Sequence, residues 1–101
     1  MLDIRFKTRK LEKAFAQIAE GRKLWGDMVA RRYIERVNAL QTLDNAKLAA
    51  KEFPEYRPQE LKGKRKGQWA MNLNDRWRLI YEPAEDGLTI SIEEVTNHYG
   101  D

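Results

Sequence analysis

The sequence predicts an α+β domain of order β-α-α-β-β-β, with a helical hairpin packed on a small, mostly antiparallel sheet. The N-terminal residues Leu2, Ile4 and Phe6 alternate with Asp3, Arg5 and Lys7, the period of a half-buried strand. Between Leu11 and Leu40 the apolar spacing changes to that of amphipathic helices. From Gln68 to Glu93 the alternation returns in runs divided by turn residues. Amphipathic helices must cover an apolar surface, and one face of such a sheet supplies it. At 101 residues the chain is read as a single domain, 1–101.

The elements follow in order. The first strand covers Leu2 to Lys7. Thr8 is placed to cap a helix carrying Leu11, Ala14, Phe15 and Ile18 on its apolar side, with Gly21 as its stop. Asp27 is read as the cap of a second helix over about 27–43. Its apolar face is Met28, Val29, Tyr33, Val37 and Leu40, and its polar face is Arg31, Arg32, Glu35 and Arg36. Trp25 precedes it as a staple. The short connection implies an antiparallel hairpin. Asp44 or Asn45 caps a further turn through Lys47, Leu48 and Ala49, stopped at Phe53-Pro54. Pro54 and Pro58 then bracket an extended crossing segment. The meander comes last, with Trp69, Met71 and Leu73, then Trp77, Leu79 and Tyr81, then Leu88, Ile90 and Ile92 on the inward row. Asn74-Asp75 and the stretch Glu82–Gly87 make its turns.

Composition narrows the function. The chain has no cysteine, which removes disulfides, thiolate metal sites and cysteine nucleophiles, and fits a reducing, cytoplasmic setting. No apolar run is long enough to span a membrane, and MLDIRFKTRK lacks the apolar core of a signal peptide. The net charge of +3 is unevenly placed: Arg57 to Gly67 holds five cations and one acid, net +4, so the remainder sums to −1. A local positive field of this kind suits phosphates held at one place.

The candidate site residues lie in and after that stretch. Lys62, Lys64, Arg65 and Lys66 form a glycine-punctuated basic loop with Gly63 and Gly67. It reads either as solvated surface charge or as a phosphate cradle. Arg76 and Arg78 sit on the polar face of a predicted central strand, in the alternation Arg76, Arg78, Ile80. Cross-strand pairing with Glu93 or another acid is the structural alternative for them. Trp69, Trp77 and Tyr81 read as core. His98 is the single histidine, next to Tyr99, so no metal-site spacing exists and no cofactor is implied. The chain also lacks a Gly-x-Gly-x-x-Gly fingerprint, a phosphate loop and a serine elbow.

The run LKGKRKGQWAMNLNDRWRLIY, Leu61 to Tyr81, resembles the signature of the RelE/ParE superfamily of toxins, and within it the HigB-like or "killer protein" branch. The matching positions are Leu61, Lys62, Gly63, Arg65, Gly67, Gln68, Trp69, Asn74, Asp75, Trp77, Arg78 and Leu79. The resemblance implies a toxin of a type II toxin–antitoxin pair: a metal-independent endoribonuclease that cuts messenger RNA on the ribosome, at the A site. It implies catalytic roles for Arg65, Arg78, His98 and Tyr99, and contacts from Lys62, Lys64, Lys66 and Arg76 to RNA phosphates or ribosomal RNA. It also implies a cognate helix-turn-helix antitoxin of HigA type, with operator DNA reached only through that antitoxin. Relatives often carry histidine two residues before the leucine of this signature; here Gln59 stands there, and glutamine cannot shuttle protons at neutral pH. The same fold also hosts ParE-like gyrase inhibitors, so a non-nuclease toxin or a degenerate RNA- or partner-binding relative is the alternative.

Overall fold

The computed structural model describes residues 1–98. Among them, four α-helices and a five-stranded mixed sheet form two layers. The strands are β1 (Asp3–Phe6), β2 (Gln59–Glu60), β3 (Trp69–Asn72), β4 (Arg78–Pro83) and β5 (Thr89–Thr96), in the spatial order β1-β5-β4-β3-β2. β1 lies parallel to β5, and every other pairing is antiparallel. The meander is therefore as expected. The N-terminal strand extends it on one edge, and the two-residue β2, which the sequence reading left as crossing segment, extends it on the other.

The helices are α1 (Arg9–Ala16), α2 (Ile18–Trp25), α3 (Asp27–Gln41) and the single turn α4 (Ala49–Glu52). Thr8 caps α1 as expected, its hydroxyl oxygen accepting from the Leu11 N–H at 3.2 Å. The expected first helix breaks at Gln17, whose backbone is extended. Beyond the break, Gly21 is not a stop. It lies inside α2, where a Cβ would sit 3.0 Å from that of Ala30 on α3. Glycine is needed there for close helix approach, not for a turn. Gly26, at φ 85°, closes α2 and opens α3. Asp27 is the first residue of α3, not its cap. It pairs with Arg22 at 2.6 Å and with Arg31 at 3.0 Å. Asn45 caps the next turn through the Lys47 N–H. Pro54–Tyr56 winds into a 3₁₀ turn instead of extending, and Arg57 leaves it left-handed at φ 51°.

The core lies between the helices and one sheet face. Tyr33, Val37 and Leu40 of α3 meet Met71, Leu79, Tyr81, Ile90 and Ile92, all essentially without solvent contact. Trp69 and Trp77 pack at its margin. Tyr33 stacks edge-on against Trp25 with ring centroids 5.0 Å apart, and its hydroxyl donates to the Leu11 carbonyl at 2.7 Å. That bond satisfies a buried polar group. Burial holds the Tyr33 and Tyr81 hydroxyls well above the usual tyrosine range.

Three face assignments are corrected. Met28, expected in the core, is 55% exposed at the start of α3. Leu88, expected on the inward row, is 54% exposed, because the Asp86 side chain takes its N–H and turns the chain outward before β5 begins. Arg36, expected on the polar face, is 9% exposed. Its Nε donates to the Asn72 carbonyl, its guanidinium lies 3.9 Å from the centre of the Tyr56 ring, and Glu35 pairs with it. Burial lowers its pKa and the Glu35 charge opposes that shift.

Candidate functional site

The second sheet face carries the site. Residues directly opposed in a ladder share a face, so the register lays out rows across the sheet. One row is Gln59, Ala70, Ile80 and Glu94. The next is Asn72, Arg78 and Thr96. Ala70 and Ile80 form a small apolar floor, which the sequence had placed on the polar face. Leu61 caps it and all three are buried. This contact seats the basic loop. From Leu61 the chain rises through a 3₁₀ turn, Gly63–Arg65, between Gly63 at φ 67° and Gly67 at φ 92°. Residues with a Cβ adopt such angles only under strain.

Arg65 is the residue that this loop delivers to the sheet. Its guanidinium donates to Glu94 at 3.1 Å and to the Gln68 side chain at 3.2 Å. Gln68 in turn donates to Glu82 at 3.4 Å. Beside them Lys7 pairs with Glu93 at 3.4 Å, and the Ser91 hydroxyl donates to the other Glu93 oxygen at 2.5 Å. Lys7, Lys64, Arg65, Gln68, Glu93 and Glu94 enclose an open cleft of about 310 Å³. Lys62 and Lys66 line a separate hollow with Leu61 on another side of the loop. The expected lysine cradle is thus divided, with Lys64 alone of the three on the Arg65 cleft.

Arg78 begins β4. Its guanidinium turns back over the β3–β4 turn and donates to the carbonyls of Asn74 at 2.7 Å, Trp77 at 3.0 Å and Asp75 at 3.3 Å. The Asn74 side chain closes the same turn by accepting from the N–H groups of Arg76 and Trp77. From the helix side, Arg32 donates to the Leu73 carbonyl at 2.7 Å. The turn that positions Arg78 is therefore gripped from both layers. Arg76 is exposed within it.

His98 follows Thr96 by two residues, at the Arg78 end of β5, with its backbone N–H on the Thr96 hydroxyl at 3.0 Å. Tyr99 lies outside the described residues. Gln59 shares the Arg65–Glu94 side of the sheet but at the far edge, three strands from Glu94. At the usual strand spacing that is roughly 14 Å. Among the described residues no group of acids and histidine has the arrangement of a metal site, and no helix is long and apolar enough to cross a membrane.

The sequence reading missed Lys7, Gln68 and Glu94 as members of the site. One signal was present for the last. The apolar phase of β5 runs Ile90, Ile92 and then Val95, a slip by one residue. The register jumps accordingly, from Tyr81 opposite Ile92 to Ile80 opposite Glu94, and leaves Glu93 as the extra residue of a β-bulge.

No protein-family model matches the chain, and no curated protein matches it in sequence. Solved structures do match. The toxin–antitoxin complex YoeB–YefM from Staphylococcus aureus contains a chain with a TM-score of 0.64 at 19% identity, covering 98% of this chain and 99% of that one. The YoeB/ParE toxin from Agrobacterium tumefaciens gives 0.59 at 19% identity over 97% and 100%. YafQ from E. coli gives 0.59 at 18% identity over 97% and 94%. The likeness runs along nearly the full length of both partners. The chain accordingly has the RelE-like α+β fold, the architecture of these structures.

Proposed function

We propose that the protein is the toxin of a type II toxin–antitoxin system and acts as a ribosome-dependent endoribonuclease on messenger RNA. The observation that carries this is the placing of two arginines on one side of the sheet: Arg65, on the basic loop that Leu61 anchors, reaches Glu94 of β5, and Arg78 begins β4 in the neighbouring row. Both lie on the side of the sheet away from the helices, where a single RNA strand can reach them.

In the proposed reaction the RNA supplies its own nucleophile. The 2′-hydroxyl attacks the adjacent phosphorus in line, losing its proton, and the bond to the 5′-oxygen breaks. The products are a 2′,3′-cyclic phosphate and a 5′-hydroxyl, which gains a proton. Arg65 and Arg78 hold the phosphate and offset the charge that gathers on it in the transition state. His98 and Tyr99 are assigned to proton transfer, since imidazole serves as base when neutral and as acid when protonated. Lys62, Lys64, Lys66 and Arg76 contact flanking phosphates or ribosomal RNA. A helix-turn-helix antitoxin, of HigA type by the resemblance in the loop, neutralises the toxin in the cytoplasm by covering this charge.

The test is induced expression of Arg65→Ala and Arg78→Ala, each checked for fold by circular dichroism. Both are expected to relieve growth arrest and to lower cleavage of translated mRNA by roughly 100-fold or more. Folded variants as toxic as the parent chain would refute the assignment. A second reading, a ParE-like gyrase inhibitor or a binding-only relative, draws on Gln59 and on the carboxylates that occupy the cleft. Growth arrest with a DNA-damage response and no new mRNA 5′ ends would favour it.

A further inference from the structure

In a regular strand Glu93 and Glu94 would point to opposite faces. The bulge in β5 turns both into the Arg65 cleft, where each holds a cation: Glu93 on Lys7 at 3.4 Å, Glu94 on Arg65 at 3.1 Å. The two carboxylates differ in how firmly they are held. Glu93 is 13% exposed and also accepts from Ser91, although its partner Lys7 is 63% exposed. Arg65 and Glu94 are 39% and 41% exposed, and an ion pair so open to water contributes little and exchanges readily. A phosphate accepts from a guanidinium through two oxygens in a matched geometry. It also draws on Lys7 and Lys64 on the same cleft.

We propose that Lys7, Lys64 and Arg65 form a phosphate site in which Glu94 is an exchangeable counter-anion, displaced from Arg65 when an RNA phosphate enters, while Glu93 keeps Lys7 in place. In the free protein the carboxylate holds Arg65 extended over the sheet and discounts lone anions, because each must first replace Glu94. A strand that also engages the Arg78 row meets that cost with a second contact, so a polyanion is favoured over a single phosphate. The identity of the ligand as RNA rests on the function proposed above; the exchange step does not.

The experiment titrates inorganic phosphate into the parent chain, Glu94→Gln and Glu93→Gln, following the Arg65 Nε–Hε resonance by NMR. Glu94→Gln is expected to lower the half-saturating phosphate concentration roughly two- to fivefold. Glu93→Gln, which loosens Lys7, is expected to leave it unchanged or raise it. Equal or weaker phosphate binding by folded Glu94→Gln would overturn the exchange, and would make Glu94 a residue that positions Arg65 for its ligand. A 2′-O-methyl RNA oligonucleotide, which cannot be cleaved, serves as the second arm. A similar gain in affinity for it is expected. Its failure to bind any variant, with the phosphate gain intact, would remove RNA as the ligand and leave the exchange standing.

Discussion

The two faces of the sheet use the same strands to opposite ends. On the helix side, Leu79, Tyr81, Ile90 and Ile92 are sealed beneath α3, and the one arginine that enters, Arg36, is held by a carbonyl, an aromatic ring and an acid. On the loop side the buried cluster among the described residues is Leu61, Ala70 and Ile80, and the Arg65–Glu94 pair on that face is half-exposed. Adjacent residues of β4 thus belong to different regimes. Stability is concentrated on one face, so the other is free to carry charges whose partners are exchangeable.

Neighbouring truncations would test that division most sharply. Leu79→Ala should cost about 2–5 kcal/mol, enough to unfold much of so small a domain. Ile80→Ala should fall at or below the low end of that range, because only a loop covers it and the loop can settle into the gap. Urea denaturation measures both. Equal costs would mean that the loop side is a second core and not a platform. A smaller effect is expected from Arg36→Ala, which leaves the Asn72 carbonyl without its guanidinium donor and removes the Tyr56 contact. About 1–3 kcal/mol is expected by the same measurement.

The smallest effect belongs to the helix exterior. The Arg22 hydrogen bond, with the charge of Arg31, holds the Asp27 carboxyl below its ordinary value of 3.8. A carboxylate with a depressed folded pKa stabilises above its unfolded pKa and loses that contribution as pH falls through the folded one. Asp27→Asn should therefore lower the melting temperature slightly at neutral pH. The gap should close on acidification below about pH 4, the range in which an unfolded aspartate protonates. A gap that persists in acid would assign the effect to the helix start and not to charge.

Much of this architecture was legible because alternation and helical spacing report which side of an element meets the core. The strands through Met71, Leu79 and Ile90 were placed that way, as was α3 through Tyr33 and Val37. The failures share a cause: pairings made at long range. Nothing local marks Gln17 as a break, and Gly21 carries the same letter whether it ends a helix or lets Ala30 approach. Arg36 follows Glu35 on what periodicity counts as a polar side, and only Asn72 and Tyr56 make its burial tolerable. In the site, Arg65 and Arg78 were legible as cations on a loop and a strand. Their partners, Glu94 and the turn carbonyls, were set by a bulge and a turn that composition does not announce.

The parallel pairing of β1 with β5 carries a consequence for synthesis. Asp3–Phe6 finds its strand neighbours only when Thr89–Ile92, more than eighty residues later, has been made. Contacts so distant in sequence close late and slow folding. Glu94 and Thr96 belong to that same final strand, so the Arg65 and Arg78 rows are incomplete on any nascent chain that stops before it. This arrangement therefore forms only after Thr96 has been made, and a product terminated ahead of Thr89 carries the basic loop without the strand that Arg65 pairs with.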